Sequence, residues 1–220
     1  MVGPGEAMTQ THRLTALLIA LLALGALWLQ VYVGLARRPD HEVWQELWRL
    51  GRYFTILTNL MVAVTFAGIA AGHRSPPWWL AAVALWILIV AIVYHGLLAR
   101  PLDGIRWWSD MAVHTFVPIT VGLWWLALAP KDGLMPRHAV WWLLWPLIYV
   151  SYALIRGEFD GRHPYFFIDP HEVGWSGVGL WCVALGVSFW LGGLGVVALG
   201  RLLSRPSPSA DGAPDGPQVR

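Results

Sequence analysis

The sequence predicts an all-α membrane protein, a bundle of six transmembrane helices with a short interfacial helix in the first loop. Three observations support this fold class. The chain is 57% hydrophobic and 13% charged and contains 16 Trp residues, which is unlike a soluble domain of this length. Apolar runs close to the ~20 residues needed to cross a bilayer recur along the chain. Polar segments separate these runs.

The six predicted crossings follow one another with little intervening chain. They cover residues 14–35, 53–71, 78–98, 109–129, 138–155 and 174–199. The first apolar run is longer than the core of a secretory signal and is followed by further crossings, so we expect a retained helix. Residues 12–203 therefore form one transmembrane domain. The polar segments 1–11 and 204–220 are expected to be disordered.

The first loop, residues 37–52, contains the pattern of a short amphipathic helix. Its apolar face is formed by Val43, Trp44, Leu47 and Trp48, and its polar face by Gln45, Glu46 and Arg49. Tryptophan is enriched at the level of the lipid headgroups, and a helix with opposed apolar and charged faces lies in the plane of that interface. We therefore expect this helix to lie on the membrane surface.

Six crossings place both termini on one side of the membrane. The longer loops, 37–52, 100–108 and 157–173, are on the other side, which we call the loop face. Lysine and arginine are almost evenly divided between the two sides, whereas most acidic residues are on the loop face. This distribution favours a multi-pass protein of the cell membrane with cytoplasmic termini.

Charge and cysteine content exclude several functional classes. A formal net charge of +2 gives no basis for nucleic-acid binding. The single cysteine, Cys182, excludes a disulfide framework or a thiolate metal cluster within one chain. His95, His114 and Asp110 are conceivable metal ligands, but no HExxH-type spacing supports a metal site. We expect no cofactor, and the sequence gives no indication of an oligomeric state.

The most informative polar stretch is residues 52–59, at the start of the second crossing. Thr55 and Asn59 are four residues apart and therefore share a helix face. Polar side chains in a membrane span usually face a protein interior or a cavity. With a rise of about 1.5 Å per residue, Thr55 and His114 are expected to lie roughly 5 and 8 Å from the loop face. The two side chains can therefore meet if their helices are neighbours.

This pairing has the chemistry of an activated nucleophile. A threonine hydroxyl needs a base to accept its proton, and neutral imidazole is the usual base near neutral pH. Asp110 precedes His114 by one helical turn and can orient the imidazole, as in a catalytic triad. Pro118 removes the intrahelical partner of the His114 carbonyl, so we expect a kink there. The alternative is that Thr55 and His114 only hold helices together.

Other polar side chains cluster at the loop-face ends of the predicted helices. The supporting or substrate-binding candidates are Asn59, Asp110, His95, Tyr149, Arg156 and Asp169. Asn59 has no titratable group, so it is a helix–helix contact or an oxyanion donor rather than a base. His95 can equally be a hydrated residue at the interface. Asp169 closes an aromatic loop segment that fits either a cap over a lipid cleft or an aromatic belt.

Four segments together resemble a known family. They are Arg52-Tyr53-Phe54-Thr55-Ile56-Leu57-Thr58-Asn59-Leu60, His114-Thr115-Phe116-Val117-Pro118, Trp145-Pro146-Leu147-Ile148-Tyr149 with Arg156-Gly157, and Tyr165-Phe166-Phe167-Ile168-Asp169. Their order and spacing resemble the androgen-induced-protein-like family of integral membrane proteins, most closely its bacterial branch. The animal members hydrolyse fatty-acid esters of hydroxy fatty acids with an intramembrane threonine and a histidine. The resemblance implies that Thr55 is the nucleophile and His114 the histidine.

The sequence thus favours an intramembrane lipid-ester hydrolase whose partner is a membrane lipid or a lipid-like substrate. The first alternative is a non-catalytic membrane protein that binds a lipid or a small amphiphile in the same cavity. A proton-coupled transporter is a third reading, but it requires more buried carboxylates and internal repeats, which are not evident.

Overall fold

The computed structural model of the protein describes residues 10–204. Most of the predicted disordered tails, 1–11 and 204–220, lie outside the described residues. The first helix begins at Gln10, so the last two residues of the predicted N-terminal tail are helical. Within residues 10–204 the chain contains helices and no strand, which confirms the all-α prediction.

Nine α-helices form the bundle within residues 10–204. They are α1 (Gln10–Arg37), α2 (Val43–Leu50), α3 (Phe54–Ala70), α4 (Pro77–Val93), α5 (Gly104–Met111), α6 (Val117–Leu128), α7 (Pro136–Trp141), α8 (Leu144–Asp160) and α9 (Pro170–Leu203). A π-helical turn at Tyr94–Leu98 extends α4, and another at Ala112–Phe116 joins α5 to α6. A 3₁₀ turn at Phe166–Ile168 precedes α9.

In the described part of the chain, five helical segments are long and apolar enough to cross a membrane, and a sixth is obtained if the α2–α3 pair, bent by 101°, counts as one span. Contacts at one end of the bundle support six crossings. Arg13 Nε donates to Ala70 O at 3.1 Å, and Arg201 Nε donates to Leu134 O at 3.1 Å. The start of α1 and the end of α9 therefore lie beside the short turns after α3 and α6. This arrangement is the one expected for six crossings.

The fifth predicted crossing is divided into two helices, α7 and α8, by a break at residues 142–143. Pro146 lacks an N–H group and therefore leaves the carbonyl of Trp142, four residues earlier, without its helical partner. Trp86 in α4 compensates, because its indole Nε1 donates to Trp142 O at 2.9 Å. The break is thus closed by a hydrogen bond from another helix.

Helix α4 is the centre of the bundle, with ten buried residues between Leu80 and Val90. Helix α1 packs along α3 through a face of small residues that includes Ala16, Ala20 and Ala23, as expected where membrane helices approach closely. Indole N–H groups link further helices, for example Trp145 Nε1 to Thr58 Oγ1 at 3.1 Å.

The predicted short helix in the first loop is α2, and its polar face points into the protein. Val43, Trp44, Leu47 and Trp48 are each more than half exposed, whereas Glu46 is completely buried. The Glu46 carboxylate accepts hydrogen bonds from Arg49 of 2.5–3.1 Å. It fits against α1 only because residue 34 is glycine, since a Cβ there would lie 1.7 Å from Glu46 Oε1.

We expect Gly34→Ala to lower the free energy of unfolding by about 2–3 kcal/mol, because the added methyl group displaces a buried, ion-paired carboxylate. Gly25→Ala is the matched control in the same helix, since a Cβ at Gly25 meets no atom within 4 Å. Thermal unfolding in detergent compares the two. In a Glu46→Ala background the Gly34→Ala change should have almost no further cost, and a full additional cost there would contradict this account.

Candidate functional site

Two cavities meet at Thr55. A polar cavity of about 480 Å³ opens at the loop face, and a smaller apolar pocket of about 110 Å³ lies deeper between α3, α4, α8 and α9. Thr55, Tyr94, Leu98 and Tyr165 line both cavities. The candidate nucleophile therefore lies at the junction of a polar and an apolar space.

The polar cavity combines the candidate base with a surplus of positive charge. His114 and Asp110 are part of its wall, together with five arginines: Arg37, Arg38, Arg49, Arg100 and Arg106. Within residues 10–204 no carboxylate lies within 4.0 Å of the side chains of Arg37, Arg100 or Arg106. The cavity can therefore stabilise an anionic group.

The Thr55 hydroxyl is not bonded to its own helix, unlike Thr120, whose hydroxyl donates to Phe116 O at 2.7 Å. Thr55 lies in the first turn of α3, so the carbonyls three and four residues earlier belong to Arg52 and Gly51. These two carbonyls accept hydrogen bonds from the hydroxyl groups of Tyr149 and Tyr152, at 2.8 and 3.1 Å. The 7% exposed Thr55 side chain thus remains directed at the cavities.

Tyr165, from the loop before α9, covers Thr55. Its phenol lies close to the side chain and backbone of Thr55 and to the backbone of Phe54. Burial raises the pKa of Tyr165, and this effect exceeds the opposing effect of these neighbouring polar groups. The phenol consequently stays protonated and can donate a hydrogen bond beside Thr55.

His114 lies in the π-helical turn that joins α5 to α6, and two side chains fix its imidazole. Its Nδ1 atom lies 3.3 Å from Asp110 Oδ1 and 3.0 Å from Asp110 O. The Tyr94 ring stacks on the imidazole with centroids 3.8 Å apart, and the Tyr94 hydroxyl donates to Asp110 Oδ2. Because Asp110 engages Nδ1, the Nε2 atom is the one left for another partner.

Asn59 is bound to the backbone on both sides of the site. In the π turn each N–H group donates to the carbonyl five residues earlier, as Val117 N–H does to Ala112 O. The next carbonyl, that of Val113, would have to pair with residue 118, which is proline and has no N–H group. Asn59 Nδ2 donates instead to Val113 O at 3.1 Å and also to Thr55 O at 2.8 Å. The π turn therefore shifts the expected loss of a partner from the His114 carbonyl to the Val113 carbonyl, which α3 satisfies through Asn59.

The structure brings Thr55, His114 and Asp110 to one cavity. No direct hydrogen bond joins Thr55 to His114 in residues 10–204, where the imidazole pairs with Asp110 instead. Tyr149 lines the adjacent apolar pocket. Asn59 lies behind both Thr55 and His114 and lines neither space, and its amide hydrogens point to backbone carbonyls.

The remaining sequence candidates lie elsewhere. His95 is exposed, and its Nε2 lies 2.9 Å from Thr115 Oγ1. Arg156 donates to Trp48 O at 2.6 Å and so ties α2 to α8. Asp169 caps α9 through His171 N–H at 2.9 Å. No group of three or more His, Cys, Asp or Glu side chains in the described part of the chain is arranged to hold a metal ion.

Sequence reasoning did not single out Tyr94, Tyr165 or the cavity arginines as site residues. Tyr94 lies at the loop-face end of its span and Tyr165 lies in the aromatic loop segment. The sequence therefore placed both residues on the side of the membrane where the site lies. The arginines come from two separate loop-face segments, residues 37–52 and 100–108. Only the folded chain brings them to one wall.

In comparisons with known proteins, no family model, no curated protein and no solved structure matches the chain. The geometry of the cavities therefore carries the functional argument.

We expect Asn59→Leu to lower the free energy of unfolding by about 1–2 kcal/mol, because two buried hydrogen bonds between α3 and the π turn are lost. In a Pro118→Ala background, residue 118 regains an N–H group for the α5–α6 backbone. The cost of Asn59→Leu should then fall by at least about half. A double-mutant cycle from thermal unfolding measures this coupling, and strictly additive effects would contradict the assigned role of Asn59.

Proposed function

We propose that the protein is an intramembrane hydrolase of lipid esters, of the type that acts on fatty-acid esters of hydroxy fatty acids. The observation that carries the proposal is the position of Thr55, at the junction of an apolar pocket and an arginine-lined cavity that also contains His114 and Asp110. The resemblance of the sequence to the androgen-induced-protein-like family supports the same assignment of Thr55 and His114.

In this mechanism Thr55 Oγ1 attacks the ester carbonyl while His114 Nε2 accepts the hydroxyl proton. The tetrahedral intermediate collapses, the bond to the alkoxy oxygen breaks, and His114 returns the proton to the departing alcohol. Water from the polar cavity then hydrolyses the acyl-threonine, again with His114 as base and then acid. Asp110 holds Nδ1 and keeps Nε2 directed at the reaction. Because catalytic hydrogen bonds often close only with substrate bound, the open Thr55–His114 geometry is compatible with this role.

The oxyanion of the intermediate needs donors close to Thr55. The amide of Asn59 is occupied by backbone carbonyls, so we assign this role to backbone N–H groups at the start of α3. The N-terminus of a helix presents free N–H groups and a positive dipole end. The Phe54 and Thr55 backbone groups lie beside the phenol of Tyr165, and a substrate oxyanion would take the place of that phenol.

The two spaces around Thr55 suit an acidic amphiphile. An acyl chain fits the apolar pocket, and a negatively charged end fits the polar cavity, where Arg100 and Arg106 have no carboxylate within 4.0 Å in the described residues. Guanidinium groups bind carboxylates with paired, charge-assisted hydrogen bonds. A lipid bound in this way, with its acyl chain in the apolar pocket and its charged end in the polar cavity, would place its ester next to Thr55.

We further propose that the protein resides in the cell membrane with its termini in the cytoplasm. The concentration of acidic residues on the loop face supports this orientation. The polar cavity would then open to the outer side of the membrane, and its water and anionic ligands would come from there.

A second candidate function is non-catalytic binding of a lipid or a small amphiphile in the same two spaces. It is favoured by one observation: within residues 10–204 the Thr55 hydroxyl, which lies beside the Tyr165 phenol, is not hydrogen-bonded to His114. This function predicts an amphiphile that co-purifies with the protein and is not turned over.

For the hydrolase, Thr55→Ala and His114→Ala should each abolish labelling by a fluorophosphonate probe and reduce lipid-ester hydrolysis by roughly 10³-fold or more. Thr120→Ala is the matched control, since within residues 10–204 that hydroxyl bonds only to its own helix. Gel fluorescence and chromatographic detection of the released fatty acid measure the two effects. Full labelling and turnover in a folded Thr55→Ala protein would exclude Thr55 as the nucleophile.

The arginines should select the substrate by charge. We expect the double change Arg100→Gln/Arg106→Gln to reduce kcat/KM about tenfold for a lipid ester with a free carboxylate, because charge-assisted hydrogen bonds are lost. Hydrolysis of the methyl-capped, neutral form of the same lipid should stay nearly constant, as measured by product release. Equal losses for both substrates would show that these arginines do not recognise the charged end.

A further inference from the structure

A second basic surface lies on the loop face beside α2. It is a groove of about 800 Å³ between the end of α1, the following turn, α2 and the segment after α8. Its charged lining consists of Arg37, Arg38, Arg49, Arg52 and Arg162 with Asp40 and Asp160. Positive groups are thus in excess in this groove.

Internal ion pairs account for only part of this charge. Arg52 binds both carboxylate oxygens of Asp160, at 3.1 and 2.5 Å, and Arg49 binds the buried Glu46. Arg38 lies farther from the same Glu46, at 3.9 Å. In the described residues no carboxylate lies within 4.0 Å of the guanidinium group of Arg37 or of Arg162, although the Arg162 backbone N–H donates to Asp160 Oδ1 at 3.2 Å. These two guanidinium groups are available for an external anion.

The position of α2 gives the depth of the groove in the bilayer. The exposed side chains of α2 are Val43, Trp44, Leu47 and Trp48, which belong in contact with lipid at the headgroup boundary. Trp44 and Trp48 also line the groove. Arg37 and Arg162 therefore lie at the level of the lipid phosphates, with an apolar surface for acyl chains beside them.

We propose that this groove binds an anionic phospholipid of the surrounding bilayer, with the lipid phosphate between Arg37 and Arg162 and the acyl chains along the exposed face of α2. Guanidinium groups pair with phosphate oxygens through charge-assisted, bidentate hydrogen bonds. A lipid with net negative charge is preferred to a zwitterionic one, because a cationic headgroup would lie among the other arginines of the groove.

This site is separate from the cavity of Thr55, and it holds whether or not the protein is a hydrolase. The two spaces share Arg37, Arg38 and Arg49, but Arg162 lines only the groove, whereas Arg100 and Arg106 line only the cavity. Variants of Arg162 on the one hand, and of Arg100 and Arg106 on the other, therefore distinguish a lipid bound in the groove from an anion bound in the cavity.

The test is native mass spectrometry of the detergent-purified protein titrated with phosphatidylglycerol or phosphatidylcholine of identical acyl chains. We expect the wild type to retain phosphatidylglycerol in preference to phosphatidylcholine. Arg162→Gln should weaken the binding of phosphatidylglycerol about fivefold, which is the effect expected for the loss of one basic residue near an anionic lipid. Arg37→Gln/Arg162→Gln should weaken it further. Arg100→Gln/Arg106→Gln, in the cavity, and Arg137→Gln, at the opposite end of the bundle, should bind like the wild type.

Three outcomes would overturn the proposal. They are equal retention of the two lipids by the wild type, an equal loss in the cavity or Arg137→Gln variants, and unchanged retention in Arg37→Gln/Arg162→Gln. Displacement of the lipid by millimolar inorganic phosphate would identify a soluble anion as the occupant and would also overturn it. Circular dichroism of each variant verifies folding, and Arg162→Lys, which keeps the charge, should restore most of the preference for phosphatidylglycerol.

Discussion

The amide of Asn59 joins the two backbone segments on which the candidate site is built. It donates to Thr55 O in α3 and to Val113 O in the π turn that carries His114. Water cannot replace such bonds inside a bilayer, and an unpaired carbonyl there is costly. The relative depth of Thr55 and His114, and hence the shape of the cavity between them, depends on this one side chain.

Much of the fold could be predicted from apolar length alone, because a spanning segment must satisfy its backbone internally. The break in the fifth span is different. Pro146 predicts that one backbone carbonyl lacks its helical partner. The hydrogen bond that replaces it comes from the indole of Trp86, in a helix distant in sequence. The inward polar face of α2 likewise requires the neighbouring Gly34, which admits the Glu46 carboxylate. Periodicity identifies a helix, whereas tertiary contacts decide which way it faces.

In the candidate site, too, some features could be predicted from the sequence and others depend on tertiary contacts. Thr55 and His114 could be paired from the sequence because both lie a few residues inside spans that start at the same membrane face. The contribution of Tyr165 could not, since the path of the loop before α9 is not encoded in any local pattern. Asn59 is the most instructive case: it was predicted to share a helix face with Thr55 at the site, but it lines neither cavity and its amide binds backbone carbonyls of two helical segments. A polar residue beside a site is therefore not necessarily part of its chemistry.

Pro118 and Pro146 each leave a carbonyl that accepts a side-chain N–H group from another helix, Asn59 in the first case and Trp86 in the second. Neither bond can form while a span is alone in the lipid. During insertion, the fourth and fifth spans thus remain incompletely hydrogen-bonded until α3 and α4 have docked in register. These two prolines make correct helix association a condition for satisfying the backbone, and so favour one arrangement of the bundle over its near alternatives.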